Sequence, residues 1–334
     1  MVLRRKLTMF ILGIGAAHPD VEISDEVLSS LGLVPTDEEA LLLARFGVRS
    51  RRASLPLAYI KATKNTEVLD GRPVALATPT TLAVAASRQA LERAGITAEQ
   101  VGLIIADTAT PYQTCPSEAQ RIGGALKIKI PSYDVVAGSS ALPLFFEMLS
   151  SWKPERLPDY VLCVSTNTFS QHVAYGSGSA VPAYLYGDAA SALVISPRHS
   201  GRLRIVDSYL DGTLNRTGCA VVERHVSCSA KAVLSKAEVV EVLSRALKQV
   251  ASTEAPTRVV GPQLYAGEFG EYERELGLGR GSMISGTEHV GYAVGASTGV
   301  ALASLWDSAR AGDAIAVLHA GDGAWGGSVL VASE

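Results

Sequence analysis

Two hydrophobic patterns alternate along the chain. Residues 78–93 have the helical period, with Leu82, Ala85, Ala86 and Ala90 on one apolar face, Thr78 placed to cap and Pro79 suited to the first turn. A linker holding Gly95 follows, and then an apolar run at 102–106 that reads as a buried strand. The same order returns at 235–250. There Ser235 and Glu238 form a capping box, and Val239, Val242, Leu243, Ala246, Leu247 and Val250 keep the helical period. A linker and the apolar run 258–261 complete this second copy.

A further unit also occurs twice. A strand at 133–137 meets the turn Gly138-Ser139-Ser140, a helix follows through Leu142, Phe145, Met148 and Leu149, and a strand runs over 160–165. Later, Gly295-Ala296-Ser297 opens a helix reaching across 300–309, Gly312 ends it, and 314–318 forms the next strand. Most strands are continuous apolar runs, as expected where helices cover both faces of a sheet. Strands and helices in this rhythm predict an α/β fold. The repetition predicts two duplicated halves, 1–198 and 199–334, joined in the polar stretch Ser196-Pro197-Arg198-His199-Ser200-Gly201.

The N-terminal stretch has two readings. Arg4-Arg5-Lys6 and the apolar residues 7–17 have the outline of a signal peptide. The favoured reading is a buried first strand over 8–15 that ends in a turn at His18-Pro19-Asp20.

Composition narrows the function classes. Of 334 residues, 47% are hydrophobic and 19% charged, which supplies a deep core and excludes a disordered chain. A net charge of −3 leaves no basic footprint for nucleic acid, and 6% aromatics are too few for a base-stacking platform. No apolar run reaches the ~18 residues that would span a membrane. Cys115, Cys163, Cys219 and Cys228 form no CxxC and no zinc-spaced cluster with histidine, so no metal and a reducing, cytoplasmic setting are expected.

Two places could carry chemistry. Ser139 lies where a strand turns sharply into a helix, a position that exposes a side chain to backbone amides and to the positive helix end. A nucleophile there has its anion stabilised, and the same amides can hold an oxyanion. The position equally suits a helix cap. His319 follows the strand at 314–318, and Asp322 stands three residues on across a glycine turn. If the halves are related by a two-fold, this loop meets the Ser139 turn. A nucleophile, a His base and an orienting Asp are the parts of an acyl-transfer site, although a turn His beside a turn Asp is also common and inert. Among other candidates, His289 is near the site or flanks a strand, and His172 lies in a loop that could cover a pocket. His18, His199 and His225 are read as surface residues. Cys115 could line a pocket or an interface.

At these residues the chain resembles the thiolase superfamily and, within it, the β-ketoacyl carrier-protein synthase III family, over nearly its whole length. Arg45-Phe46-Gly47-Val48-Arg49-Ser50-Arg51 resembles the segment before that family's CoA tunnel. The run from Asp134 to Leu142 resembles the nucleophile segment, with Ser139 where the family has cysteine. Tyr186-Gly187-Asp188-Ala189-Ala190-Ser191-Ala192 resembles its Gly-Asp-Gly-Ala strand entry, residues 291–299 its Gly-Ala-Ser helix start, and 321–331 its glycine-rich last hairpin. The resemblance implies a five-layered α-β-α-β-α thiolase-like fold with a mixed central sheet in each duplicated half, and a two-fold homodimer.

The departures from the family pattern bear on function. Gln263, after Pro262, and Tyr292, after Gly291, stand where the family carries the His and Asn that bind the thioester carbonyl and drive decarboxylation. Leu41 replaces the adenine-stacking Trp, and an acidic stretch at 268–275 replaces a basic docking residue. His319 with Asp322 resembles the acyltransferase branch typified by the cervimycin malonyltransferase, which transfers an acyl group to a hydroxyl. The resemblance therefore implies a non-decarboxylating, ping-pong acyltransferase of secondary metabolism. In this reading Ser139 takes an acyl group from acyl-CoA or acyl carrier protein, His319 deprotonates a small-molecule hydroxyl acceptor, and Asp322 fixes the imidazole tautomer. Backbone amides near the Ser139 turn and the final glycine loop hold the oxyanion. Arg45, Gln263, Tyr292, His289, Gly321 and Gly323 are the expected substrate-binding positions, and no cofactor is required. One rival is a polyketide priming ketosynthase that makes a carbon–carbon bond. The other is a catalytically silent partner in a ketosynthase heterodimer. The serine is either native or a replacement for cysteine.

Overall fold

The expected first strand is β1 (Met9–Ala17), and it opens a run of ten strands. The computed structural model describes residues 9–176, 178–212, 220–250, 255–321 and 323–333. Arg4, Arg5, Lys6, Leu7, Thr8 and Cys219 lie outside them. The strands of this sheet that follow in the first half are β2 (Leu103–Asp107), β3 (Ser132–Val135), β4 (Val161–Thr168) and β5 (Asp188–Ser196). The second half supplies β6 (Leu203–Asp211), β7 (Arg258–Val260), β8 (Met283–Ile284), β9 (Ala314–Gly321) and β10 (Ala324–Ala332).

Strand order exposes the duplication. The first half is arranged β3-β2-β4-β5-β1 and the second β8-β7-β9-β10-β6, so each strand of one half has a counterpart five strands on. Pairing senses match as well. β2 is parallel to β3 and β4, and β7 is parallel to β8 and β9, while the other neighbours within each half are antiparallel. The halves join where Met9, Phe10 and Ile11 of β1 pair with Ile205, Arg204 and Leu203 of β6, making one ten-stranded sheet.

Helices cover this sheet in three layers. Helix α1 (Asp37–Phe46) packs on the segment 263–268 of the second half, whereas outside the first half α2 (Pro79–Ala94) and α3 (Glu118–Ala125) bury Leu82, Ala83, Ala86, Ala90 and Ile122 against Ile104, Ala106, Leu162 and Val164. Between the halves, α4 (Ala141–Ser151) and α7 (Gly295–Leu305) bury Leu142, Phe145, Phe146, Ala301 and Leu302. They pack against Ile105 and Cys163 of one half and Ile205, Ile315 and Val317 of the other. Outside the second half, α5 (Lys236–Val250) sets Val239, Val242, Leu243, Ala246 and Val250 against Val259, Ala316, Leu318 and Val329, with α6 (Phe269–Glu275) beside it. Alternate residues of one strand thus face different apolar layers, which is why the strands read as unbroken hydrophobic runs.

Three local expectations change. Ala85 is exposed, because the buried stripe of α2 runs through 82, 83, 86, 87, 90 and 91, and residue 85 falls on the opposite side of the helix. His319 is inside β9, paired with Gly326, and not in a loop after the strand. The turn lies beyond Gly321, where β9 meets β10. The helix expected to open at Gly295 does begin there, but it ends at Leu305 instead of reaching 309. Among the described residues, no helix is long and apolar enough to cross a membrane.

Candidate active site

Strand β3 delivers Ser139 to the molecule's centre. The chain leaves Val135, makes a short 3-10 turn over Gly138–Ser140 and runs directly into α4. Gly138 opens that turn with φ +56, in the left-handed region that glycine tolerates without cost. Ala137 accepts from the Ser140 amide at 3.2 Å and from the Ser140 hydroxyl at 2.6 Å. Ser139 is half-buried in this turn, and Ser140 is buried. The nearby Asp134 is structural: its carboxylate accepts from the Glu118 and Ala119 amides at 2.7 and 2.8 Å, capping α3.

The second half brings the end of β9 to the same point. A Cβ built on Gly321 would stand 3.5 Å from Oγ of Ser139. Gly321 has φ +147, a backbone that side-chain-bearing residues rarely adopt. His319 is buried at 4% exposure, and its Nε2 lies 3.0 Å from the Gly321 carbonyl oxygen. A carbonyl can only accept, so Nε2 carries a proton, which in a neutral ring leaves the lone pair on Nδ1. Gly321 therefore lies beside both candidate groups: its carbonyl bonds the imidazole, and a side chain added to it would reach van der Waals distance of the serine oxygen. Gly323 follows in the β9–β10 turn with φ +77. Asp322 lies outside the described residues.

Behind the serine turn is a carboxylate that composition and spacing did not single out. Asp107, at the end of β2, is 1% exposed. It accepts from the Ala137 amide at 2.9 Å and from the Ser165 hydroxyl at 2.7 Å. Its only sequence signal is an acidic residue closing an apolar strand run, which is weak alone.

The other expected site residues are engaged elsewhere. Gln263 is 3% exposed. Its side-chain nitrogen donates to the Gly261 and Ile284 carbonyls at 2.9 and 3.0 Å, and its oxygen accepts from the Gly286 amide at 2.6 Å. The side chain thus pins the ends of β7 and β8 together. Arg45 meets Glu268 through two nitrogens at 2.9 and 3.2 Å, donates to the Leu234 carbonyl at 2.8 Å and lies over the Tyr265 ring. The Tyr272 hydroxyl donates to the same Glu268 carboxylate, and burial pushes the Tyr272 phenol well above its ordinary range. Tyr292 is buried, with its ring stacked on Tyr186, which in turn stacks on Phe169. His289 is at the surface beside Glu288. His18, His199 and His225 are exposed.

Two further features concern the segments around Gly47 and Asp188. Gly47, Val48 and Arg49, together with Ala44, Tyr184, Ala266 and Glu288, line a cavity of about 630 Å³. Asp188 is fully enclosed and accepts from the Ser54 amide, the Ser170 amide and the Ser170 hydroxyl; burial pushes its carboxyl above the usual range. It fastens β5 to the segment after β4 and to Ser54.

No family model matches the chain. It is 30% identical over 214 residues to a β-ketoacyl-[acyl-carrier-protein] synthase III of Trichormus variabilis, covering 63% of this chain and 57% of that one. The match thus spans less than two thirds of that relative's length. Among solved structures, a 3-oxoacyl-(acyl carrier protein) synthase III of Pseudomonas aeruginosa superposes with a TM-score of 0.77 at 22% identity, over 98% of each chain. The priming β-ketosynthase of the R1128 polyketide pathway superposes at 0.74 and 19% identity, over 100% of this chain and 99% of the other. At these identities the likenesses to solved structures establish the fold.

Proposed function

We propose that this chain, thiolase-like in fold and a relative of the β-ketoacyl-[acyl-carrier-protein] synthases III, is an acyltransferase of secondary metabolism that forms esters by a ping-pong route. In the first half-reaction the Ser139 oxygen adds to the thioester carbonyl carbon of an acyl-CoA or acyl carrier protein. The C–S bond breaks, and the serine proton leaves with the thiol by way of His319. In the second, the hydroxyl of a small-molecule acceptor adds to the acyl-serine carbonyl. Its proton passes to Nδ1 of His319 and returns to the departing serine oxygen, with no net redox change.

The observation that supports this reading is the place of Gly321 beside the two groups: a Cβ built on it would lie 3.5 Å from Ser139 Oγ, and its carbonyl receives the His319 Nε2 proton. That bond orients the ring and also stabilises the imidazolium formed when Nδ1 takes a proton. Asp322 would add negative charge favouring the same cation. Backbone amides near the Ser139 turn and the final glycine loop hold the oxyanion in this reading, a contribution typically worth ~10²–10³ in rate per donor. The donor's thioester arm would enter through the cavity beside Gly47 and Val48. A homodimer belongs to the same reading.

The test is incubation with an acyl-CoA, followed by mass analysis of the peptide that contains Ser139. An acyl adduct supports the reading, and its absence from both the parent and a Ser139→Cys protein would overturn it. The main rival is a priming ketosynthase, favoured by the fold likeness to the R1128 enzyme. The three backbone bonds of Gln263 speak against it, since they occupy the side chain that stands where decarboxylation would need a histidine. Release of CO₂ from a malonyl carrier protein would favour the rival.

A further inference from the structure

Asp107 has an ordered role at the Ser139 turn that the reaction outlined above does not use. Ala137 is held from both sides, its amide by Asp107 Oδ1 at 2.9 Å and its carbonyl by the Ser140 amide and hydroxyl. Two residues later stands Ser139. The other carboxylate oxygen takes the Ser165 hydroxyl at 2.7 Å.

The second half reaches the same carboxylate. A Cβ on Gly295, the first residue of α7, would fall 2.5 Å from Asp107 Oδ2, 2.6 Å from the Gly138 carbonyl oxygen and 2.7 Å from Ser165 Oγ. Only a glycine lets the helix end approach this closely. The chain enters α7 through Val294 at φ +53 and ψ −118, a strained backbone for a β-branched residue. Asn167 holds the adjacent Ala293 carbonyl at 2.9 Å, and the Ser297 hydroxyl accepts from the Ala293 amide at 2.8 Å. The positive end of α7 stabilises the enclosed carboxylate.

Resting on the acyl-serine reading, we propose that Asp107 is a positioning residue: its carboxylate locks the 138–140 turn and ties it to the N-terminus of α7, so that the serine from one half stays aligned with Gly321 and His319 from the other. The effect runs through accepted hydrogen bonds. Asparagine can supply the same acceptor to Ala137 and can donate to Ser165; alanine can do neither.

The experiment compares Asp107→Asn, Asp107→Ala and Ser165→Ala with Thr166→Val. Thr166 neighbours Ser165 on β4 but donates to the Pro79 carbonyl, away from the turn. Acylation of residue 139 by an acyl-CoA is followed by mass in single turnover. Asp107→Ala should lower the maximum acylation rate at least tenfold with the donor concentration for half-maximal rate within threefold. Ser165→Ala should lower it two- to tenfold, and Asp107→Asn should stay within threefold of the parent. Thr166→Val should lose thermal stability and keep its rate. Wild-type acylation in Asp107→Ala, or equal slowing in Thr166→Val, overturns the proposal. If Asp107→Ala does not fold, parent-like acylation in Ser165→Ala overturns it instead.

Hydrogen exchange of the 137–141 amides gives a readout independent of acyl chemistry. It should quicken at least tenfold in Asp107→Ala, or measurably in Ser165→Ala, and not in Thr166→Val. If the parent takes no acyl group but the exchange result holds, the acyl-serine reading falls and the positioning role stands. Unchanged exchange in the Asp107 and Ser165 variants sinks the positioning role.

Discussion

The hydroxyl oxygen of Ser139 stands 3.5 Å from the point where a Cβ on Gly321 would be. One residue lies in a strand-to-helix turn of the first half and the other ends a central strand of the second, so the duplicated halves meet here. Gly321→Ala would put a methyl group against the Ser139 hydroxyl and would also force an L residue to φ +147. The expected result is a folded protein whose residue 139 acylates at least tenfold more slowly. Timed mass labelling with an acyl-CoA checks it, with circular dichroism reporting the fold.

The imidazole should separate the two half-reactions once the nucleophile needs less help. A thiol is partly ionised near neutral pH, whereas a serine hydroxyl depends on a base. A Ser139→Cys, His319→Ala double variant is therefore expected to take up the acyl group and then stall, with transfer to an alcohol slowed by ~10² or more, the usual scale for a positioned base. His319→Ala alone should slow both steps. Adduct lifetime with and without acceptor distinguishes these outcomes, and rapid turnover by the double variant would remove His319 from the mechanism.

Much of the fold was legible in the chain because it rests on local signals. The reciprocal cap of Ser235 with Glu238, the cap of Thr78 and the apolar strand runs all form as expected. The convergence of Ser139 with the end of β9 was readable from duplication alone. What was not readable depends on long-range partners. Asp107 and Ser165 are 58 residues apart and meet only because β2 and β4 are neighbours. His319 lies within its strand because β10 pairs with β9 as far as Gly321, which no local period reveals. Gln263 and Arg45 carry polar groups that suit a ligand, yet their partners in the structure are protein atoms brought in by packing.

Gln263 accordingly bears on stability more than on acylation. Gln263→Ala leaves the Gly261 and Ile284 carbonyls and the Gly286 amide without this partner in a buried place. Each lost pairing of a buried polar group is costly, and a loss of about 2–4 kcal/mol in all is expected. Denaturant unfolding measures that loss. The acylation rate of residue 139 should remain within about threefold of the parent, and a tenfold fall at unchanged stability would restore Gln263 to the substrate site.

His172 sets the response of the fold to mild acid. The ring is 7% exposed, and its Nδ1 donates to the Arg224 carbonyl at 3.3 Å. Burial, with Arg72 and His225 nearby, holds the imidazole below its ordinary 6.5, although the bond to Arg224 pulls the other way. The unfolded chain then binds a proton at a pH where the folded chain does not, so stability falls as pH drops below about 6.5. The slope from this one group is at most about 1.4 kcal/mol per pH unit. Glu118 and Asp188 act in the opposite direction, because burial raises both carboxyls and the folded state then holds their protons more tightly. Their contribution is common to the parent and to a His172→Asn protein, which keeps an N–H for Arg224 but cannot titrate. Melting temperature measured from pH 7.5 to 5.5 should therefore fall less in His172→Asn than in the parent, and parallel curves would mean that His172 is not the acid-sensitive group.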